Sequence, residues 1–361
     1  NAAFAAALGI AAFALQPAPI GAAEIAGRVL RFDGRLDAVI PPGAVLEKVL
    51  DGFTWVEGPL WNADEGYLLF SDIPHNRVIQ WIPDRGWRVY LERSGYTGAA
   101  PFTGWEPGSN GLAYDREGRL VLCQHGNRRV VRVEKDGRVT PLAERYRGKR
   151  LNSPNDMTMD AEGNLYFTDP PFGLPRTFDD PAKELPFQGV YRLGPDGRLV
   201  LLTKELRAPN GIGLSPDGRT LYVTNTDPGR AVWMAYPITP GGTLGPGRVL
   251  LDASAQVHEF DMAGVRTSRP DGMKVDAAGN ILGAGPGGLW IIAPDGTHLG
   301  TIAFSAPVSN CGFGGDGSTL YITVDTSVWR VPIRTGPAFD AARGALAAPK
   351  GAPSNDAPHG S

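Results

Sequence analysis

Short apolar stretches alternate with polar turns along this chain, and one pattern of this kind recurs six times. Each unit opens with a polar residue, usually followed by glycine, and continues as a short strand. The six opening segments are EGPLW from Glu57, NGLAYD from Asn110, NDMTMD from Asn155, NGIGLS from Asn210, DGMKVD from Asp271 and NCGFGG from Asn310. The opening residues lie 39 to 61 positions apart. A repeat of about 50 residues that carries several short strands is typical of a β-propeller.

Two further strands follow each opening segment. The second strands read YLLFS, RLVLC, NLYFT, TLYVT, NILGA and TLYIT, and the third read RVIQW, RVVRV, GVYRL, AVWMA, GLWII and SVWRV. Asp-Gly pairs follow several third strands, where a fourth strand would begin. The pattern therefore predicts an all-β, six-bladed propeller over residues 40–335. Residues 45–50 are expected to supply the outer strand of the sixth blade, which closes the ring and leaves no open sheet edge.

Composition agrees with a turn-rich β protein. The 361 residues include 48 glycines and 32 prolines, and 42% are apolar, which excludes a disordered chain. The formal net charge of −3 gives no reason to expect a nucleic-acid partner. The two cysteines exclude both a disulfide scaffold and a cysteine-based zinc cluster. We expect a monomer or a dimer.

The two ends of the chain differ from the repeats. Residues 1–23 contain the apolar run FAAALGIAAFAL and are interpreted as the remnant of a secretory signal peptide. This interpretation predicts a periplasmic or secreted protein that has no membrane segment in its mature form. Residues 336–361 have the composition of a flexible tail.

The opening residue of each first strand is expected at one mouth of the central channel. All six carry a side-chain oxygen, and two of them, Glu57 and Asp271, are carboxylates. Although Asn and Asp also open strands for purely structural reasons, converging carboxylates repel one another unless a cation offsets their charge. Oxygen-only ligands suit a hard cation. The pattern thus predicts a divalent-cation site at the mouth, with Ca²⁺ first and Mg²⁺, Mn²⁺ or Zn²⁺ as alternatives.

Second strands return to the same mouth. They place Asp169 and His125 there as candidates for proton transfer or substrate contact, although both residues also fit structural roles, as a turn residue and a buried histidine. Two long connections, residues 94–109 and 177–188, are rich in Gly, Pro and aromatic residues and are expected to form walls of the site.

Several motifs occur along the chain in the order that is typical of one protein family. The segments EGPLW, CQHGNRRVVRVEKDG, LNSPNDMTMDAEGNLYFTDPPFG, PNGIGLSPDGRTLYVTNT and PDGMKVDAAGN resemble the gluconolactonase branch of the senescence marker protein/gluconolactonase/luciferin-regenerating enzyme superfamily. This resemblance implies a six-bladed propeller that binds one divalent cation and hydrolyses sugar lactones.

The resemblance also implies roles for individual residues. It implies metal ligation by Glu57, Asn155, Asn210 and Asp271, with Asp271 as the first candidate for the general base and Asp169 as the second. Asn155, Asn110, His125 and Ser153 are expected to contact the substrate. The sequence departs from the family at Ser153, where vertebrate members carry arginine, and at Gln124, where bacterial members carry glutamate in a CEHG motif.

The predicted reaction is hydrolysis of a sugar lactone to the aldonic acid, with polarisation of the lactone carbonyl by the metal and attack by water under base assistance. The sequence contains no G-x-S-x-G nucleophile elbow, so it does not favour a covalent acyl-enzyme intermediate. Two alternatives stay open. One is a calcium-dependent hydrolase of organophosphates or other lactones, for which Trp55, Phe102, Trp105 and Phe172 would line an apolar mouth. The other is a non-catalytic calcium-binding propeller.

Overall fold

A computed structural model describes residues 27–338. The predicted signal-peptide remnant, residues 1–23, lies outside the described residues, and so does all of the predicted tail except residues 336–338. The prediction of export therefore stays a prediction. No helix in the described part of the chain is both long and apolar enough to cross a membrane.

Six antiparallel sheets of four or five strands, arranged as the blades of a propeller, make up the described chain. The innermost strands are Val56–Asn62, Ser109–Tyr114, Met157–Met159, Pro209–Leu214, Met273–Val275 and Val308–Gly314. The second strands are Tyr67–Asp72, Leu120–Gln124, Leu165–Asp169, Thr220–Asn225, Ile281–Gly285 and Thr319–Val324. The third strands are Arg77–Ile82, Arg129–Val133, Gly189–Leu193, Val232–Pro237, Gly288–Ile292 and Ser327–Pro332. The six-fold repeat seen in the sequence is thus confirmed as six blades.

The outermost strands show how the ring closes. In blades one to four they are Gly86–Glu92, Val139–Ala143, Leu199–Thr203 and Arg248–Asp252, and the fourth strand of blade five is His298–Ala303. In blade six the outermost strand is Glu47–Leu50, which pairs antiparallel with Ser327–Pro332 although the two lie at opposite ends of the propeller sequence. The predicted closure by residues 45–50 is confirmed, with the strand itself at 47–50.

Two segments at the limits of the predicted propeller also pack against blade five. Arg28–Arg31 adds a fifth strand beside His298–Ala303, and the 3-10 turn Gly34–Ala38 buries Leu36 against the same blade. At the other end, the Ala338 amide donates to the Val275 carbonyl at 3.0 Å. The packed structure therefore extends beyond residues 40–335 in both directions.

Little regular structure lies outside the blades in the described residues. A short hairpin pairs Arg145–Tyr146 with Lys149–Arg150, and one α-helix spans Ser254–Met262 after blade four. Two more 3-10 turns, Thr177–Asp179 and Pro228–Arg230, lie in connections that follow second strands.

Apolar contacts between neighbouring blades form the core. Trp61 of blade one stacks on Tyr321 of blade six with ring centroids 5.4 Å apart, and Trp233 of blade four stacks on Trp290 of blade five at 5.3 Å. Because each blade buries both of its faces against neighbours, the relative position of the inner strands is fixed by packing around the whole ring.

Truncation of Leu50, the buried residue at the end of the strand Glu47–Leu50, tests whether this strand closes the ring. Leu50 is 2% exposed and packs in a cluster with Phe53 and Val328. We expect Leu50→Ala to lower the free energy of unfolding by about 2–4 kcal/mol, because it leaves a cavity at the seam. The control Val45→Ala removes a side chain that is 53% exposed just before the strand, and a change below about 0.5 kcal/mol is expected. Equal losses for the two variants in urea unfolding would contradict the account.

Candidate functional site

At several blades the inner strands approach one another so closely at the mouth that there is no room for a side chain after the opening residue. A Cβ atom added to Gly111 would lie 2.7 Å from the carbonyl oxygen of Asn155, and one added to Gly211 would lie 2.3 Å from that of Asp271. The Gly111 amide donates to that Asn155 oxygen at 2.8 Å. This close approach explains why glycine so often follows the polar residue in the repeat.

Hydroxyl groups of the second strands hold the opening residues of the next blade. Ser71, Thr168 and Thr224 occupy equivalent positions near the ends of their strands. Their side-chain oxygens donate to the backbone carbonyls of Asn110, Asn210 and Asp271 at 2.9, 2.6 and 2.9 Å, respectively. The backbone that carries these side chains is therefore fixed from the neighbouring blade, so little freedom remains to be lost when a ligand binds.

Three of the opening residues present amide oxygens that have no partner. The Oδ1 atoms of Asn110, Asn155 and Asn210 are buried and accept no hydrogen bond from a protein atom. A buried acceptor without a partner costs free energy, so groups of this kind indicate a ligand or solvent position. Asn310 differs, because its Oδ1 accepts from the Cys311 amide at 2.9 Å and from Lys274 at 3.2 Å.

The two carboxylates among the opening residues are poorly accommodated as anions. Burial, followed by the charge of Asp156, raises the pKa of Glu57 to about 8. Burial also raises the pKa of Asp271 well above its usual range, with the charge of Glu57 as the next cause. Asp271 is partly exposed at the mouth, whereas Glu57 is only 2% exposed. A bound cation would reverse both shifts, because it favours the charged forms.

These residues fit a hard divalent cation. Between residues 27 and 338, no three His, Cys, Asp or Glu side chains converge closely enough to hold a metal ion by themselves. A cation here therefore needs amide oxygens beside the carboxylates, and the unpartnered oxygens of Asn155 and Asn210 are of that kind. Two carboxylates and neutral carbonyl oxygens are the ligands that Ca²⁺ accepts in proteins.

A second polar layer, which the sequence analysis missed, accompanies the opening residues. Asn310 Nδ2 lies 3.2 Å from Glu57 Oε2 and 3.3 Å from Asp156 Oδ2, and the Lys274 ammonium lies 3.9 Å from the same Asp156 atom. Burial raises the pKa of Asp156, and Lys274 opposes that shift. Lys274 lies in the innermost strand of blade five, and Asp156 directly precedes the innermost strand of blade three. Their place in the repeat was therefore the signal from which they could have been predicted.

Asp169 lies in different surroundings from Asp271. One of its carboxylate oxygens accepts from the Asn152 amide at 2.8 Å, and the other has no hydrogen-bond partner. Burial raises its pKa to about 7, and the opposing charges are those of Arg128 and Lys183. Its catalytic role stays a prediction, and its charged neighbours are not the opening carboxylates.

His125 is fully buried beside a residue that the sequence analysis did not select. Its Nδ1 lies 2.8 Å from Glu106 Oε2 as an ion-pair contact, and neither ring nitrogen makes an aligned hydrogen bond to a described group, Glu106 included. Glu106 belongs to the connection 94–109 and adds to the charges that raise the pKa of both Glu57 and Asp271. No periodicity marks a residue in such a loop, so the sequence offered no signal for it.

The two departures from the family motifs have local explanations. The Ser153 hydroxyl donates to the Pro170 carbonyl at 2.6 Å and accepts from the Gly173 amide at 2.9 Å, so it fastens the start of a wall loop. Gln124 donates to the Ser94 carbonyl and accepts from Arg129 at 2.7 Å. Its side chain is thus committed to structural contacts, and the substrate-binding role of Ser153 stays a prediction.

Aromatic side chains stand beside the mouth. Trp55 directly precedes the inner strand of blade one, and its ring lies 6.2 Å from that of Trp105, which is 54% exposed. The Arg266 guanidinium lies over the Trp55 ring at 5.4 Å. Phe102 packs on Tyr96 and Phe172 on Phe178, within the two wall connections or next to them. The site is therefore polar at its centre and aromatic on one side.

Comparison with known proteins agrees with this architecture. A family model described as the SMP-30/Gluconolactonase/LRE-like region matches residues 55–326. The gluconolactonase of Zymomonas mobilis is 38% identical over 313 residues, which cover 86% of this chain and 87% of that protein. The diisopropyl-fluorophosphatase of Loligo vulgaris is 26% identical, over 81% of this chain and 92% of that protein.

The solved structures give the same result. A gluconolactonase from Xanthomonas campestris superimposes with a TM-score of 0.74 and 33% identity, covering 88% of this chain and 98% of that one. The resemblance seen in the EGP, PND, PNG and PDG motifs is confirmed, and this chain belongs to the SMP-30/gluconolactonase/LRE-like family.

Proposed function

We propose that this protein hydrolyses a sugar lactone, such as an aldono-1,5-lactone, to the aldonic acid with the help of one divalent cation. The observation that carries the proposal is the convergence of two carboxyls of raised pKa with buried, unpartnered amide oxygens at one mouth of the channel. The names of the Zymomonas mobilis and Xanthomonas campestris relatives support a lactone as the substrate.

In this proposal Glu57, Asn155, Asn210 and Asp271 hold the cation, and Ca²⁺ is the first candidate because all four side chains offer oxygen. When bound, the cation supplies Lewis-acid polarisation of the lactone carbonyl. The unpartnered Oδ1 of Asn110 is then available to accept a hydrogen bond from a sugar hydroxyl or a water molecule. Its backbone carbonyl is held by Ser71, so the acceptor is already oriented before the substrate arrives.

Asp271 is the proposed general base. It is partly exposed at the mouth, and one carboxylate oxygen accepts from the Gly272 amide at 3.0 Å. A carboxylate held in this way and open to solvent can accept a proton from an attacking water molecule. The Trp55 and Trp105 rings provide an apolar surface against which the C–H face of a sugar ring can pack.

The first experiment follows acid release in a pH-stat with glucono-1,5-lactone. Protein that has been stripped with a chelator is compared before and after addition of Ca²⁺, and the spontaneous hydrolysis rate is subtracted. We expect turnover only with the metal, because the raised pKa of Glu57 and of Asp271 opposes the charged forms of both carboxyls unless a cation offsets them.

Lack of turnover on glucono-1,5-lactone and on a wider panel of lactones, with Ca²⁺ shown to be bound, would contradict the proposal. Turnover of diisopropyl fluorophosphate in the same samples would then favour the organophosphate alternative. Binding of Ca²⁺ without turnover of either substrate class would favour a non-catalytic propeller.

Two substitutions test the proposed ligands and base, and kcat is measured at a Ca²⁺ concentration that saturates each variant, since Asp271 is also a proposed ligand. Asp271→Asn is expected to lower kcat by at least about 100-fold, since it removes the proposed base. Glu57→Gln is expected to weaken Ca²⁺ binding by at least about 10-fold in calorimetric titration, because a buried carboxylate ligand is lost. Glu65→Gln, in an exposed turn between the first two strands of blade one, is the matched control and should change neither quantity. A fully active Asp271→Asn protein would contradict the site assignment.

Stability without metal should depend on pH in a direction fixed by Glu57. Its pKa is about 8 in the folded protein against an ordinary value of 4.5, so between these values the folded state holds a proton that the unfolded chain has released. The free energy of unfolding of the metal-free protein should therefore fall as pH rises from about 5 to about 8, by up to about 1.4 kcal/mol per pH unit for this group.

Urea unfolding in the presence of a chelator measures this dependence. Glu57→Gln should show a shallower fall, and saturating Ca²⁺ should stabilise the native protein more at pH 8 than at pH 5. The same slope in the wild type and in Glu57→Gln would show that the raised pKa does not belong to this residue.

A further inference from the structure

Glu106 has no role in the function proposed above, and it pairs with His125, which the sequence marks as a candidate for proton transfer or substrate contact. His125 is fully buried, one residue beyond the second strand of blade two, and its Nδ1 lies 2.8 Å from Glu106 Oε2. The Glu106 side chain is 19% exposed. One partner is therefore enclosed by protein, and the other reaches the space above the channel.

Glu106 lies beside the same mouth as the proposed metal ligands without being one of them. It directly follows Trp105, whose ring lies 6.2 Å from that of Trp55, and Trp55 is two residues before Glu57. In agreement with this position, the charge of Glu106 also raises the pKa of Glu57 and of Asp271. These three carboxylates do not form a cluster close enough to share a cation, since no such group of three occurs within residues 27–338. Glu106 thus stands near the reacting region, where its Oε2 contacts His125 and its carboxyl group is not needed as a metal ligand.

The connection that carries Glu106 is held firmly at both feet. Asn76 Oδ1 accepts from the Gly95 amide at 2.8 Å, and the Gly108 amide donates to the Ile73 carbonyl at 3.0 Å. The His125 amide donates to the Gly108 carbonyl at 3.1 Å, only two residues after Glu106. The carboxylate and the imidazole are therefore tied to the same short stretch of backbone, which favours a maintained pair over a chance contact.

The other side of the imidazole is closed by the connection 170–188, which links the second and third strands of blade three. A Cβ added to Gly173 would lie 2.5 Å from His125 Cβ, so this loop passes directly against the ring. Ser153 holds that part of the loop through its hydrogen bonds to Pro170 and Gly173. His125 consequently has no freedom to turn away from Glu106, and its role is to position the carboxylate.

We propose that Glu106, positioned by His125, donates the proton that the ring oxygen of the lactone needs when it leaves. This inference rests on the proposed lactonase function and deepens it. Lactone hydrolysis needs two proton movements, one from the attacking water and one to the departing alkoxide. Asp271 accepts the first, and the Glu106–His125 pair provides the second.

The chemistry balances without another reactant. Water oxygen bonds to the lactone carbonyl carbon while Asp271 takes its proton, and the bond from that carbon to the ring oxygen breaks with its electron pair on the oxygen. The ring oxygen takes the proton of the Glu106 carboxyl group, which His125 keeps in place. Proton exchange with solvent then returns Asp271 and the pair to their starting states, and the net reaction is lactone plus water giving the hydroxy acid.

Leaving-group dependence tests this role. An aldono-1,5-lactone releases an aliphatic alkoxide, which needs a proton, whereas dihydrocoumarin releases a phenoxide, which does not. With Ca²⁺ bound, Glu106→Gln is expected to lower kcat for glucono-1,5-lactone by about 100-fold or more and to change kcat for dihydrocoumarin by less than about threefold. Glu65→Gln remains the control and should match the wild type on both substrates.

His125→Asn tests the positioning role. It should reproduce the same selective loss on the aldonolactone, and the double variant should lose little more than Glu106→Gln alone, because the two residues act as one unit. Calorimetric titration should show that Ca²⁺ still binds to each variant.

A second measurement decides the matter if dihydrocoumarin is not a substrate of the wild type. Glu106→Ala leaves space for a small acid, so added formate should restore part of the lost kcat on glucono-1,5-lactone and should not do so for Asp271→Asn. Equal losses on both substrates, unchanged activity of Glu106→Gln, or absence of rescue where rescue is the deciding test would overturn the inference. Wild-type protein without lactone turnover would instead overturn the proposed function itself.

Discussion

The close approach of the inner strands around the channel is the constraint on which the rest of the structure depends. At Gly111 and Gly211 the neighbouring strand leaves no room for a Cβ atom. Backbone amides and second-strand hydroxyls then bond to the carbonyls of the opening residues in the next blade. Since the ring is closed by Glu47–Leu50, these contacts hold the side chains of all six blades in one fixed arrangement.

That arrangement brings carboxyl groups and amide oxygens that lack a counter-charge or a hydrogen-bond partner to one mouth of the channel. Glu57 and Asp271 are carboxyls whose pKa is raised by burial and by the charges of neighbouring carboxylates, and the amide oxygens of Asn155 and Asn210 lack partners. A folded chain tolerates such groups when a ligand offsets their cost. Asn310 shows the contrast, because Lys274 and the Cys311 amide satisfy its oxygen and leave it no part in such a site.

The sequence was sufficient to predict the blades and the six opening positions, because both follow from a repeat that packing imposes on every unit. The same repeat could not distinguish Asn310 from Asn155, since only contacts across the channel separate them. Glu106 was not predictable, because it sits in a loop whose path is fixed by single hydrogen bonds and not by periodicity. The strand Arg28–Arg31 was missed because it lies before the first repeat and extends blade five.

The most direct test of the central claim is a crystal structure of the protein soaked with Ca²⁺. The account predicts one cation at the mouth, held by oxygens of Glu57, Asn155, Asn210 and Asp271, with the asparagine amide nitrogens turned away from it. A mouth without a cation at saturating Ca²⁺, or a cation bound elsewhere while these four side chains pair with one another, would contradict it.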